Sequence, residues 1–165
     1  MNPRKSSFEL VADHRTRVLV LGSLPGEKSL AARQYYGNPA NQFWRLVGAV
    51  IEIDLASLAY GHRLERLLAN GIGLWDTIAD AERPGSLDTR IRSHRPNQFA
   101  GLTDSLPGLR GLAFNGGKSA KTGRKALPPD SGLELIDLPS SSAAYCSISF
   151  AQKLEKWKLL RELLA

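Results

Sequence analysis

The chain contains almost no cysteine: Cys146 is the only one in 165 residues. A single cysteine cannot form a disulfide within the chain, and it cannot supply the several thiolates that bind structural zinc or an iron–sulfur cluster. The three histidines, His14, His62 and His94, lack the spacing of metal ligands. We therefore expect chemistry that uses no metal and no cofactor.

Long apolar runs are also absent. No stretch approaches the roughly 20 residues needed for a membrane-spanning helix, and residues 1–17 lack the apolar centre of a signal peptide. These absences predict a protein of the reducing cytoplasm with no membrane partner. The length fits one domain over residues 1–165, with residues 1–15 loosely ordered, and we expect the protein to act as a monomer.

Acidic residues are outnumbered: the sequence has 16 Asp and Glu against 22 Lys and Arg, a formal net charge of +6. Such an excess favours a polyanionic partner, although a solvated basic surface has the same composition. Many of the basic residues cluster beside loops rich in Gly or Pro, where a phosphate backbone could lie. These are Arg90, Arg92 and Arg95 in one cluster and Lys118, Lys121, Arg124 and Lys125 in another. The clusters make a nucleic acid the favoured partner.

Short apolar runs bounded by Gly, Pro or small polar residues predict four strands, and apolar positions spaced by three and four predict helices between them. The strands are expected at residues 17–22, 72–75, 110–114 and 133–138, and the helices at residues 43–51, 60–69, 97–106, 118–126 and 150–164. This alternation predicts a three-layer α/β/α sandwich with a central four-stranded parallel sheet. Ligands of such sheets bind at the carboxyl ends of the strands, so the candidate site is expected there.

Two loops resemble nucleotide-binding loops, but their spacing does not fit. A phosphate-binding loop of the Walker A type needs Gly, four residues, and then Gly-Lys-Ser or Gly-Lys-Thr. The loop that starts at Gly22 has Glu27 at the second glycine, and the loop that carries Gly-Lys-Ser around Lys118 has Leu112 at the first. The dinucleotide pattern G-x-G-x-x-G is absent. An α/β enzyme acting on free nucleosides or nucleotides is therefore an alternative, not the leading hypothesis.

Five short motifs accompany the predicted strands in a fixed order. They are Gly-Ser-Leu-Pro-Gly from Gly22, Tyr-Tyr-Gly-Asn-Pro-Ala-Asn-Gln-Phe-Trp from Tyr35, Gly-Ser-Leu-Asp from Gly85, Phe-Asn-Gly from Phe114, and Leu-Pro-Ser-Ser-Ser from Leu138. In this order they resemble the uracil-DNA glycosylase superfamily, and most closely its hypoxanthine-DNA glycosylase (DNA-deoxyinosine glycosylase) branch, over residues 17–160. The resemblance implies a uracil-DNA glycosylase-like fold and a monofunctional enzyme of base excision repair. Such an enzyme hydrolyses the N-glycosidic bond of a flipped deaminated base in DNA, chiefly hypoxanthine and more weakly uracil or xanthine, with water as the nucleophile.

The resemblance also implies roles for residues around the expected site. Asn41 matches the residue credited with catalysis in this branch, and its amide can hold a water or bind a purine edge. The sequence without the resemblance favours a helix N-cap at Asn38 or Asn41 instead. Tyr36 would stack on the flipped base, with core packing as the alternative. Asn115 would read the base edge, with a turn as the alternative. The remaining residues of the implied base pocket are Ser23, Leu24, Gly26, Asn38 and Phe43.

Contacts to DNA are implied for the loop after the fourth strand. Ser140, Ser141 and Ser142 would hold the phosphates that flank the flipped nucleotide, and Tyr145 would fill the vacated stack. Lys118 would add a phosphate contact. A serine-rich loop and a solvated lysine without these roles are the alternatives.

Several positions depart from the patterns of relatives. Leu24 cannot hydrogen-bond where uracil-specific branches place Asn or Asp, so strong uracil excision is not expected. Asn38 replaces a histidine, and Ala-Ala-Tyr from Ala143 replaces Pro-Ala-Asn. Asp76 is expected to pair with an arginine or to order the site, and Asp88 to brace a loop. A damaged-DNA binder that has the fold but no activity is a further alternative.

Overall fold

Two sheets organise the chain, which a computed structural model describes over residues 4–128 and 131–165. The strands are β1 (Arg4–Ser6), β2 (Val18–Gly22), β3 (Ile72–Asp76), β4 (Ile78–Glu82), β5 (Arg92–Pro96), β6 (Gly111–Asn115) and β7 (Glu134–Leu138). The helices are α1 (Glu27–Ala32), α2 (Phe43–Ile51), α3 (Tyr60–Ala69), α4 (Leu102–Ser105), α5 (Gly117–Ala126), α6 (Phe150–Trp157) and α7 (Leu160–Leu164). None of these helices is long and apolar enough to cross a membrane.

The larger sheet is parallel, with the strand order β3-β2-β6-β7. Because side chains alternate along a strand, β2 sends Val18 and Val20 into a core beneath α2, α3, α6 and α7, while Leu19 and Leu21 enter a second core beneath α4 and α5. β2 is buried along its whole length. These two cores on opposite faces confirm the predicted three-layer α/β/α fold with a central four-stranded parallel sheet.

The smaller sheet was not predicted. It is antiparallel, with the order β1-β4-β5, and β5 is exposed at every residue. Strands of this kind give no apolar alternation, so sequence periodicity cannot detect them. The segment 1–15, expected to be loosely ordered, supplies β1 from Arg4–Ser6, and residues 1–3 lie outside the described part of the chain.

Two helix predictions were wrong in their extent. The helix expected over residues 97–106 is only α4, because Asn97 instead closes the smaller sheet by donating its backbone N–H to Thr77 O at 2.9 Å. The closing helix expected over residues 150–164 is divided into α6 and α7. Hydrogen bonds of the i to i−3 type separate them, from Leu159 N–H to Lys156 O and from Arg161 N–H to Lys158 O.

Candidate functional site

A cavity of about 840 Å³ opens at the carboxyl end of the parallel sheet. It is formed by the segments that follow β2, β4, β6 and β7, together with the loop that precedes α2. The predicted site residues other than Phe43 line it: Ser23, Leu24, Gly26, Tyr36, Asn38, Asn41, Asn115, Lys118, Ser140, Ser141, Ser142 and Tyr145. Residues far apart in the chain therefore meet at the sheet end where ligands of parallel sheets bind.

Asn41 lies in the cavity wall with its amide held in one orientation. The Oδ1 atom accepts hydrogen bonds from the Phe43 backbone N–H at 2.9 Å and from Ser141 Oγ at 2.8 Å. The N-cap of α2 is Gln42, so the predicted cap at Asn38 or Asn41 was wrong by position, although Asn41 still satisfies one N–H of the first turn. Within the described residues the Asn41 Nδ2 has no hydrogen-bond partner. Its two N–H groups are therefore available to a ligand.

Ser141 joins Asn41 to Asn115. Its Oγ donates to Asn41 and accepts from Asn115 Nδ2 at 2.9 Å, and its backbone N–H donates to Asn115 Oδ1 at 2.9 Å. Asn115 Nδ2 also donates to the Tyr36 hydroxyl at 3.2 Å. The predicted phosphate contact does not fit Ser141, because this hydroxyl is 1% exposed and already donates and accepts within the protein. Ser141 instead orients two amides of the cavity.

Tyr36 lies in the cavity wall, with its ring stacked on Phe43 at 3.8 Å between centroids. Its φ of 54° lies in the left-handed region, which costs free energy for a residue that carries a side chain. A hydrogen bond of 3.1 Å from Trp44 Nε1 to the Tyr36 carbonyl helps to hold this conformation. The expectation that Phe43 binds the base is corrected: Phe43 is fully buried against Tyr36, Trp44 and Trp157, and it does not line the cavity.

The loop after β2 is fixed from behind by Arg83. This guanidinium is 1% exposed and donates to the carbonyl oxygens of Leu24, at 3.3 Å, and of Pro25. Ser23 donates to Asp88 Oδ1 at 2.7 Å, so Asp88 braces the loop as expected. Charge-assisted hydrogen bonds of this kind are short and directional. The backbone around Ser23 is therefore held at the cavity wall.

Asp76, at the end of β3, is a site residue that the sequence did not single out for chemistry. It lines the cavity, is 3% exposed, and among the described residues its Oδ2 has no hydrogen-bond partner. The register places Gly22 beside Asp76, and a Cβ on Gly22 would come within 2.6 Å of Asp76 Oδ1. The missing side chain at Gly22 therefore gives the carboxyl group its space.

Burial raises the pKa of Asp76 to about 7, the charge of Asp88 adds to the rise, and Arg83 opposes it. Of the two roles expected for Asp76, the arginine pair is not formed within the described ranges, where Arg83 pairs with Asp88 at 3.8 Å. No group of three or more His, Cys, Asp or Glu side chains in the described ranges could hold a metal ion. An acid at the end of a buried strand, with no cation beside it in the sequence, is the signal that could have identified Asp76.

The loop after β7 forms the rim of the cavity. Ser140 Oγ accepts the Ser142 backbone N–H at 3.1 Å. The buried Lys153 donates to Gln42 Oε1 at 2.8 Å and to Ser142 O at 3.2 Å, and its ammonium lies 5.4 Å from the centre of the Tyr145 ring. Tyr145 is 41% exposed. The loop is thus held from beneath while an aromatic ring faces solvent.

Part of the two basic clusters predicted from the sequence lies at this rim. Arg92 on β5 and Lys118 and Lys121 on α5 line the cavity, whereas Arg95 and Arg124 form salt bridges with Asp80 and Asp137. β5 and α5 contact each other. Desolvation lowers the pKa of His94 on β5, and the positive charges of Lys118 and Lys125 lower it further. The mouth of the cavity is therefore positively charged on this side.

No protein-family model matches the sequence. Two curated relatives, both named hypoxanthine DNA glycosylase, are similar to it. The Methanosarcina barkeri protein is 48% identical over 118 residues, which are 72% of this chain and 75% of the relative. The Methanosarcina acetivorans protein is 44% identical over 140 residues, which are 85% of this chain and 87% of the relative. The solution NMR structure of a provisionally assigned uracil DNA glycosylase from M. acetivorans matches with a TM-score of 0.86 at 40% identity, and covers 98% of this chain and 99% of that chain. The chain belongs to the hypoxanthine DNA glycosylase family, a branch of the uracil-DNA glycosylase superfamily.

Proposed function

We propose that the protein is a monofunctional DNA glycosylase of base excision repair that excises hypoxanthine from deoxyinosine in DNA, with weaker action on uracil or xanthine. The observation that carries this proposal is the hydrogen-bonded series Asn41–Ser141–Asn115–Tyr36 in the cavity wall. It presents an oriented amide and an aromatic ring to one cavity, which are the groups needed to bind a flipped base. The two relatives named hypoxanthine DNA glycosylase support the choice of base.

The cavity is suited to a single nucleotide that has left the duplex. Its volume of about 840 Å³ lies in the roughly 300–1,000 Å³ range of small-molecule sites. One face of the Tyr36 ring is covered by Phe43, so the base would stack on the other. Base stacking on an aromatic ring contributes about 1–3 kcal/mol and does not depend on the identity of the base. Tyr36 would therefore capture the base without selecting it.

Selection and bond cleavage then depend on hydrogen bonds. Loss of the base builds positive charge on the sugar and negative charge on the base, so donors fixed beforehand favour the transition state. The Asn41 Nδ2 can donate to the base or hold the attacking water. The Phe43 N–H and the Ser141 hydroxyl both donate to Asn41 Oδ1 and so hold the amide in this orientation. An amide is too weak a base to deprotonate water, so Asn41 would position it and stabilise charge.

Leu24 bears on the choice between bases. It lines the cavity, and its side chain packs with Ile78, Ala81 and Ile91. An apolar side chain at this wall can neither orient a water nor bind a pyrimidine edge, which supports weak uracil excision.

DNA would be held at the rim. Ser140, Ser142 and Lys118 are available to the phosphates beside the flipped nucleotide, and the exposed Tyr145 to the space that the base vacates. We also propose that the protein acts as a monomer, as the sequence predicts.

The test is single-turnover excision from end-labelled duplexes that carry one deoxyinosine, deoxyuridine or deoxyxanthosine. Alkali added afterwards breaks any abasic site. We expect the deoxyinosine strand to break fastest, and only after alkali. Breakage without alkali would contradict the monofunctional mechanism, and no breakage of any duplex would contradict the glycosylase proposal in favour of an inactive DNA binder or an enzyme of free nucleosides.

A further inference from the structure

Asp76 is a buried ionisable group of the cavity that has no part in the proposed function. Asp76 is 3% exposed, and its Oδ2 has no hydrogen-bond partner among residues 4–128 and 131–165. A carboxylate buried without partners is among the most costly groups in a protein, whereas a neutral carboxylic acid costs far less. Buried acids that serve only the fold are ordinarily hydrogen-bonded, and this one is not. Asp76 therefore has the environment expected of a group that contacts a bound ligand.

The charges around Asp76 favour its neutral form. Asp88, from the segment after β4, is a like charge close enough to raise the pKa of Asp76 together with burial. Arg83 opposes this effect, but its guanidinium is bound to the loop carbonyls of Leu24 and Pro25. The Tyr36 phenol lies near Asp76, because a Cβ on Gly22 would contact both Asp76 Oδ1 and the Tyr36 hydroxyl. This phenol is neutral, since burial raises the pKa of Tyr36. Burial and the charge of Asp88 thus favour the neutral acid. A neutral acid is also the form expected of a buried carboxyl group whose Oδ2 has no hydrogen-bond partner among the described residues.

We propose that Asp76 is a catalytic residue that, as a neutral carboxylic acid, donates its proton to a ring nitrogen of the leaving purine. This inference rests on the proposed function and goes further, because it assigns the source of the proton. A purine offers N7 and N3 as acceptors, whereas uracil has no such ring nitrogen. The carboxyl group lines the same cavity as Tyr36 and Asn41, so a base that stacks on the tyrosine has its edges within the walls that carry both polar groups.

The Asp76 O–H bond breaks and its proton bonds to the purine nitrogen, while the N9–C1′ bond breaks and both of its electrons go to the purine. Hypoxanthine leaves as a neutral molecule. Water forms the new bond to C1′ and loses a proton to solvent, and the Asp76 carboxylate takes a proton back from solvent. The net reaction is hydrolysis of the glycosidic bond.

The test compares the pH dependence of single-turnover excision in the wild-type protein and in Asp76→Asn. We expect the wild-type rate on deoxyinosine to fall as pH rises through about 7, because the acid form is the active one. Asp76→Asn keeps the shape but has no proton to give, so its rate should drop about 100-fold at low pH and lose the descending limb. Asp88→Asn should move the limb to lower pH, since it removes the like charge. Asp104→Asn, an exposed acid on α4, should change nothing.

A second arm needs no variant. Duplexes with 7-deaza-deoxyinosine or 3-deaza-deoxyinosine lack one acceptor each, and we expect the wild-type protein to fail on one of them. Equal excision of both analogues and of deoxyinosine would overturn the proposal, as would a rate that rises through pH 7 or an Asp76→Asn protein with the wild-type rate and profile. Each of these results leaves the glycosylase proposal standing. Absence of excision from every duplex would overturn both.

Discussion

The two ends of the parallel sheet use their polar groups in opposite ways. At the amino end, Arg17 and Arg110 donate to the carbonyl oxygens of Leu164 and Leu163, at 2.5 and 3.0 Å, and Arg161 donates to Val50 O at 2.9 Å. These cations bind carbonyls that the ends of α7 and α2 leave without partners. At the carboxyl end the pattern is reversed, because among the described residues neither the Asn41 Nδ2 donors nor the Asp76 Oδ2 has a hydrogen-bond partner.

This difference separates groups that stabilise the fold from groups that act on a ligand. A hydrogen-bonded group contributes to stability and has nothing left to offer, whereas an unsatisfied group costs stability and can act on a substrate. Substitutions at the carboxyl end should therefore change excision, and those at the amino end should change stability. Four substitutions, at Asp76, Asn41, Tyr36 and Arg161, test this division in order of decreasing effect.

Replacing Asp76 by Asn should stabilise the protein at neutral and higher pH. The pKa of Asp76 is about 7 in the folded chain against 3.8 for an ordinary aspartic acid. Between these values the unfolded chain loses a proton that the folded chain keeps, so the contribution of Asp76 to wild-type stability falls from about pH 4 to pH 7 and is level above. This contribution falls by up to about 4 kcal/mol, and Asp76→Asn should remove it.

Urea unfolding of both proteins at pH 4, 6 and 8 measures this difference. An equal decline of the free energy of unfolding in the two proteins would show that Asp76 is ionised in the folded state, contrary to its environment. Asp104→Asn is the matched control, since the exposed carboxyl group there should leave the decline as in the wild type.

Asn41→Ala should remove most excision and leave affinity for the duplex nearly intact. Loss of one fixed donor at a developing charge costs about 100-fold in rate, or about 3 kcal/mol. Single-turnover rates and fluorescence anisotropy of a labelled duplex measure the two quantities. Asn70→Ala, the same change at the amino end of the sheet after α3, should keep full activity. Full excision by Asn41→Ala would refute its catalytic assignment.

Tyr36→Ala should weaken capture of the flipped base by about 1–3 kcal/mol, the contribution of one base–aromatic stack. Tyr36→Phe keeps the ring and loses the hydroxyl that Asn115 contacts, so it should retain most of this capture. The measurement is the enzyme concentration that gives half of the maximal single-turnover rate. An unchanged value for Tyr36→Ala would assign the ring to the core, where it already contacts Phe43.

Arg161→Met should have the smallest effect, and on stability alone. It removes the hydrogen bonds to Val50 O and Ala49 O, which in an exposed position contribute about 1 kcal/mol or less. The midpoint of thermal unfolding should fall by a few degrees while the excision rate stays the same. A slower excision would show that the two ends of the sheet are coupled.

The sequence predicted the part of the fold that is built from apolar periodicity. The parallel strands correspond to short apolar runs such as residues 18–21, and most helices correspond to apolar positions spaced by three and four. Both patterns can be read from neighbouring residues in the sequence. The smaller sheet could not be predicted, because it depends on pairs distant in the chain, such as Arg4 with Asp80 at 2.5 Å, and on strands without apolar alternation.

The site was predictable in its location but not in its connections. Asn41 and Asn115 stand at the ends of predicted elements, and the family resemblance marks them. The Ser141 hydroxyl hydrogen-bonds to both of their amides, but it is 100 residues from Asn41 and 26 from Asn115 in the sequence. Such distant contacts could not be predicted from sequence patterns. Asp76 is important because it is buried and because, among the described residues, its Oδ2 has no hydrogen-bond partner. Neither property can be predicted from the neighbouring residues in the sequence.

The central claim is that this cavity acts on a purine held in DNA. Its most direct test is chromatography of free hypoxanthine released by the wild-type protein from two substrates, a deoxyinosine duplex and the free nucleoside deoxyinosine. We expect hypoxanthine from the duplex, at one equivalent per lesion, and none from the nucleoside. Release from the nucleoside alone, or from neither substrate, would contradict the claim.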